Sequence, residues 1–208
     1  MILGSNKKIL KMTEEKFLVP RDVYLKSGIH IGTKFRTKYM EQFIYKTRPD
    51  GLSVLNLQKI DERIKLAASF LAQYDIADIL IVGRRENSWK AVELFGKHTG
   101  IRVFAGRYPP GILTNPNLEN YIEAKIVLVV DALPDRNAVL DSVKMGIPVI
   151  ALCDTNNLSN FIDLVVPCNN KGKKSLGLLF YILTREFLIF KGKAKESEDL
   201  KMEDFLEE

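Results

Sequence analysis

Cations and aromatic rings alternate in Lys34-Phe35-Arg36-Thr37-Lys38-Tyr39. That mixture suits phosphate contacts by the charged groups and stacking of the rings on bases or riboses. Further cations stand in separate short segments. Arg84 and Arg85 directly follow an apolar run, and Arg107-Tyr108-Pro109-Pro110-Gly111 reads as a stiff, exposed turn with one cation and one ring. Asn169-Asn170-Lys171-Gly172-Lys173-Lys174-Ser175 sets three ammonium groups among amides just before a helix. One charged loop is ordinarily only solvated. Several on different elements fit a broad polyanion, such as folded RNA, better than one small substrate. The candidate RNA contacts are Lys34, Arg36, Lys38, Arg84, Arg85, Arg107, Lys171, Lys173 and Lys174.

Enzyme signatures are missing where such a fold would carry them. A dinucleotide site needs several glycines after the first strand so that backbone can approach a pyrophosphate. Gly83-Arg84-Arg85-Glu86-Asn87 offers one, crowded by two guanidinium groups, and no G-x-x-x-x-G-K-[ST] segment exists. The loop Asp131-Ala132-Leu133-Pro134-Asp135-Arg136 lacks the hydroxyl-rich cradle of sugar-phosphate isomerases, and its acids would repel phosphate. Asp131 is expected to close a strand end and cap the next helix, and Asp154-Thr155-Asn156-Asn157 to start a helix or form an Asx turn. An Asp131–Asp154 catalytic pair stays open on sequence alone, although nothing nearby supplies a nucleophile or a metal cage. His30, between Gly28 and Gly32, either meets phosphate or satisfies a local hydrogen bond, the second being preferred; His98 suits a helix C-terminus. No catalytic residue, metal site, cofactor or small-molecule substrate is expected.

The chain has 208 residues, a net charge of +5 and 46% hydrophobic residues, enough to bury a full core. No apolar run reaches the roughly 20 residues of a membrane span, and residues 1–11 lack the pattern of a signal peptide. Cys153 and Cys168 are too few for a disulfide framework or a Cys-rich zinc site, so a reduced, cytoplasmic protein is expected. Residues 1–50 carry 11 basic and 5 acidic side chains, whereas residues 191–208 carry 4 and 7. The asymmetry favours an anionic partner for the front of the chain.

Something must hold those segments in place. Short, β-branched, nearly continuous apolar runs at 79–82, 101–104, 126–130, 148–152 and 162–166 read as strands covered on both faces. Helical spacing intervenes at 61–74 (Ile64, Ala67, Ala68, Leu71), 88–98 (Trp89, Val92, Phe95) and 134–145 (Ala138, Val139, Val143, Met145). This alternation predicts a doubly wound α/β fold, its mostly parallel sheet covered by helices on both faces. Residues 39–57 read as a hairpin around Arg48-Pro49-Asp50-Gly51, residues 21–27 as a short helix stopped by Gly28, and 176–190 as a buried C-terminal helix. The organisation expected is a basic arm at 1–18, one α/β domain at 19–190 and an acidic tail at 191–208. That tail is either a frayed helix or disordered, with Leu200, Met202, Phe205 and Leu206 free to grip a partner.

Gly28-Ile29-His30-Ile31-Gly32-Thr33-Lys34, with Phe43-Ile44-Tyr45 and Asp50-Gly51-Leu52, resembles the opening of one ribosomal family. Arg107 through Pro116 is similar to its central loop, and 147–155 and 162–171 to its paired C-terminal motifs. The family is small-subunit ribosomal protein two, whose eukaryotic members are the SA or laminin-receptor-like proteins. The resemblance implies a Rossmann-like core without catalytic activity, bound to ribosomal RNA and neighbouring proteins of the small subunit, between head and body near the messenger exit, and joining late in assembly. Residues 117–125 are too short for the coiled-coil insertion of bacterial members, and the tail is shorter than the eukaryotic extension, so the chain resembles an archaeal type. Ile112 replaces the family's small hydroxyl residue after the loop glycine, and Arg85 adds a charge. His30, Asn115 and Asn169 are expected to shape their loops rather than read bases.

Overall fold

The structure, a computed structural model, describes residues 17–206; residues 1–16 of the expected basic arm, with Lys7, Lys8 and Lys11, lie outside them. Helix α1 (Arg21–Ser27) ends where Gly28 turns left-handed at φ 70°, a conformation only glycine adopts cheaply. Strands β1 (Ile44–Thr47) and β2 (Ser53–Leu55) pair antiparallel as the hairpin. Helix α2 (Leu57–Leu71) follows, its first turn capped by Asn56, whose side chain accepts from the Gln58 N–H.

The core alternates strand and helix except between β4 and β5 and between β6 and β7, which loops connect. It runs β3 (Ile79–Gly83), α3 (Glu86–Thr99), β4 (Arg102–Ala105), β5 (Ile126–Val129), α4 (Arg136–Lys144), β6 (Val149–Cys153), β7 (Leu164–Pro167) and α5 (Lys173–Phe190). The five strands form one parallel sheet in the order β4-β3-β5-β6-β7. Because the chain leaves β3 for β4 on one side and later returns to lay β5 on the other, the order reverses between β3 and β5. Loops that leave those two strand ends diverge there.

Side-chain alternation along each strand divides the core. Ile79, Ile81, Ile126, Leu128 and Ile150 face α2, α3 and α5, while Leu80, Val82, Val127, Val129 and Val149 face the other way. That second face is covered by one short helix, α4, and by Tyr108, Ile112, Leu113 and Ile122 of the long β4–β5 connection. Helices thus lie on both faces, three against one, with a folded loop supplying the rest. The thin cover explains two departures from the expected stripes: Ala138 and Val139 are buried, but Val143 and Met145 run past the sheet and stay exposed. Trp89 is likewise exposed at the rim of α3, its indole N–H donating to the Arg84 carbonyl at 3.1 Å, while Ser88 and Ala91 take the inward positions.

The acidic tail folds back. Short helices α6 (Ala194–Glu198) and α7 (Met202–Leu206) lie along α5, and Leu200 and Phe205 are buried in the main core, not offered to a partner. Phe205 stacks on His98 and meets Tyr181 edge-on. The approach is close because Gly177 has no side chain: a Cβ there would stand 2.2 Å from the Phe205 carbonyl oxygen. Gly177→Ala should therefore lift α7 from α5. The expected cost is about 2 kcal/mol, typical of overpacking, read as faster tryptic cleavage at Lys195 and Lys201 with the sheet intact.

Candidate nucleic-acid interface

In a parallel sheet every strand ends on the same edge, and all nine candidate cations fall there. Arg84 and Arg85 follow β3, Arg107 follows β4 by way of Gly106, and Lys171, Lys173 and Lys174 lie between the end of β7 and the first turn of α5. The segment with Lys34, Arg36 and Lys38 precedes the sheet in sequence, yet it is fastened to the tip of β6. The Thr33 N–H donates to Thr155 Oγ1 at 2.9 Å, the Thr37 N–H to the Thr155 carbonyl at 2.9 Å, and the Thr37 hydroxyl to the Asn157 carbonyl at 3.0 Å. Gly32 permits that seam, since a Cβ would meet Thr155 Cγ2 at 2.5 Å.

Beneath the cations lies a buried polar layer. Asp131, just past β5, accepts from Arg85 Nε at 2.6 Å, from Asn157 Nδ2 at 2.8 Å and from the Leu133 N–H at 3.0 Å, and it forms an ion pair with Arg85 Nη2. It closes the strand end as expected but does not cap α4, whose N-cap is Asp135 without a side-chain bond. Asp154 accepts from its neighbour, the Thr155 N–H, and from Lys171 Nζ at 3.1 Å; Lys171 also reaches Asn156 at 3.2 Å. Asn157 binds the Asp154 N–H, and Asn170 joins it to the Leu152 carbonyl. The four residues Asp154–Asn157 form a turn closed by the Asn157 N–H on the Asp154 carbonyl, with no helix after it. Asp131 and Asp154 are thus ion-pair anchors, not a catalytic pair.

The nine cations divide accordingly. Arg85 and Lys171 are partly neutralised by buried carboxylates and keep their remaining donors at the surface. Arg36 pairs at 3.4 Å with Glu41 in an exposed, weak contact. Lys34, Lys38, Arg84, Arg107, Lys173 and Lys174 are exposed and form no ion pair among the described residues, although Arg84 lies near Asp135. Phe35 is 80% exposed beside them, a ring free to stack. Tyr108 is not: its ring is buried against the sheet and its hydroxyl donates to Asp141 at 3.3 Å, which also holds the Gly111 N–H at 2.9 Å. Ile112 packs beneath in the same cluster. The Asn115 side chain accepts from Asn117, and Asn169 accepts from the Lys171 and Gly172 N–H groups, so both shape their loops. His30 lines a groove of about 650 Å³ between α1 and the hairpin, where burial lowers its imidazole pKa. Both thiols are buried, which pushes their pKa values up and leaves them unreactive.

The crevice where an α/β sheet of this order takes a ligand lies between the ends of β3 and β5. Here the Arg85–Asp131 pair spans it. The concavity left between Arg84, Arg107 and Asp135 holds about 40 Å³, against roughly 300–1,000 Å³ for a ligand pocket. Asp135 sits at its floor, with one carboxylate oxygen on the Arg84 N–H and the other buried without a partner. Burial raises its pKa to about 6. A carboxyl that is harder to ionise folded than unfolded favours the fold below pH 4 and weakens it progressively as pH rises to 6. Asp135→Asn keeps an acceptor for Arg84 and removes that charge. It should raise stability by about 2 kcal/mol at pH 7 and by almost nothing below pH 4, measured by urea unfolding at both.

Comparison with known proteins agrees with a non-catalytic reading of this edge. The "Small ribosomal subunit protein uS2" of Nanoarchaeum equitans is 46% identical over 185 residues, covering 89% of this chain and 92% of that protein. Those of Picrophilus torridus and Pyrobaculum neutrophilum are 44% and 47% identical, covering 93% and 91% of this chain and 98% and 94% of theirs. The profile of the family described as Ribosomal protein S2 matches residues 24–124 and 119–188. Its two matches meet within residues 117–125, the stretch too short for the bacterial insertion. They take in the hairpin, the whole sheet and nearly all of α5, so the chain belongs to the ribosomal protein S2 family.

Proposed function

We propose that this chain is a structural constituent of the small ribosomal subunit that grips ribosomal RNA with the carboxyl edge of its sheet. Family membership makes it a ribosomal structural protein and not an enzyme. The RNA reading rests above all on one observation: cations from four segments, spread over more than 130 residues, converge on one edge of a rigid parallel sheet. Lys34, Arg36, Lys38, Arg84, Arg85, Arg107, Lys171, Lys173 and Lys174 neutralise phosphates there and release their counterions, while the buried Asp131 and Asp154 layer fixes their spacing. Lys173 and Lys174 also stand at the positive end of the α5 dipole, a placement unfavourable in isolation that an RNA phosphate would reverse. Residues 19–190 act as the RNA-bound unit, 1–18 as a basic arm and 191–208 as an acidic tail. In the particle the protein lies between head and body near the messenger exit, in the cytoplasm, beside other small-subunit proteins, where it supports late assembly and translation.

Sucrose-gradient fractionation of cells tests this. The chain should sediment with the small subunit and leave it as salt is raised. Persistent absence from that peak at low salt would reject the assignment.

A further inference from the structure

The sheet's second face ends in apolar side chains that the fold does not cover. Leu133, Leu158 and Phe161 are 69%, 63% and 59% exposed, and Val143 of α4 extends the same surface. Phe161 stands between two concavities. One, of about 160 Å³, is lined by Leu133, Arg136, Leu140 and Leu158; the other, of about 390 Å³, by Val143, Pro148, Ile162 and Asp163. Phe161 is also the single non-glycine residue with positive φ among the described residues, at 65°. It occupies the third position of a turn closed by the Ile162 N–H on the Ser159 carbonyl at 3.3 Å, a place that glycine or asparagine normally takes. A bulky aromatic is strained there. The strain holds a large ring out in solvent, where folding gains nothing from it.

The charges on this surface name its occupant. Arg136 lines one concavity, with no carboxylate paired to it among the described residues, and Asp163 lines the other. A phosphate backbone would find one cation, a repelling carboxylate and an apolar floor, unlike the cation-rich part of the carboxyl edge that Leu133 and Leu158 border. A polypeptide with an aliphatic or aromatic anchor fills the apolar floor, and a single carboxylate beside it pairs with Arg136 in the one concavity while leaving the other, where Asp163 accepts from the Val149 N–H, to the anchor. We infer that the Leu133–Leu158–Phe161 surface is the docking site for such a segment of a neighbouring protein in the subunit. The inference rests on the ribosomal reading above, and it gives the molecule one edge for RNA and one face for protein.

A photo-crosslinking benzoylphenylalanine placed at position 161, in chains assembled into small subunits, tests it. The adduct should join a protein, at an apolar residue within a few positions of an Asp or Glu. Arg136→Glu should lower its yield roughly tenfold. Phe161→Gly relieves the backbone, so its melting temperature should be unchanged or higher while its retention in subunits falls by a similar factor. An adduct to RNA, an adduct to a second copy of this chain, or no adduct in subunits that carry the variant would overturn the inference and leave the ribosomal reading standing. If wild-type chain never enters subunits, both fall.

Discussion

Asp131→Ala should lower the free energy of unfolding by about 3–5 kcal/mol, the usual consequence of removing one member of a buried ion pair. Asp131 is 1% exposed and receives three hydrogen bonds, one of them from Arg85 Nε, besides the ion-pair contact of Arg85 Nη2. Its removal takes the partner from a guanidinium at the tip of β3, from the Asn157 amide and from the Leu133 N–H. Each unsatisfied donor adds to the cost. For a chain of this size the melting temperature should fall by about 10 °C. Losing the pair altogether is different from breaking it. Asp131→Leu with Arg85→Met replaces the charges with apolar volume and should recover much of the deficit. A deficit below about 1 kcal/mol in the single variant would mean that water already shares the site, and that the strand tips are not held by this layer.

The sheet was legible because its strands are short, continuous and β-branched, and because helical spacing between parallel strands leaves few alternatives. Its covering was less legible. Trp89, Val143 and Met145 have the hydropathy of core residues, but sequence periodicity does not say where the sheet beneath a helix stops. Tyr108 misled in the other direction. Two prolines and a glycine after it signal an exposed turn, whereas its fate is set by Asp141, 33 residues later. The same holds at the candidate interface. The cations could be found by type, and their shared edge follows once the strands are parallel. That Arg85 and Lys171 are half-spent on Asp131 and Asp154 depends on contacts 46 and 17 residues away. The fate of the tail turned on Gly177, whose missing side chain carries no hydropathy signal at all.

That division between anchored and free cations makes the RNA reading quantitative. Changing Arg84, Arg107, Lys173 and Lys174 together to Ala removes charges that form no ion pair among the described residues; only Arg84 gives up a contact, its hydrogen bond to the Pro134 carbonyl beside Asp135, so the fold should lose about 1 kcal/mol. Each phosphate contact lowers the slope of log affinity against log salt by roughly 0.7–0.9. Four lost contacts should therefore flatten that slope by about 3 and weaken binding to subunits depleted of this protein by about 10³-fold near 0.1 M salt. The companion variant Lys171→Ala works through a different route. It should loosen the β7–α5 loop by leaving Asp154 buried without its cation, and so cost stability as well as affinity. If the fourfold variant instead kept the wild-type salt slope, its four side chains would not face phosphate. The convergence of cations on this edge would then be a consequence of the parallel sheet alone, because any charged loop leaving a strand must emerge there.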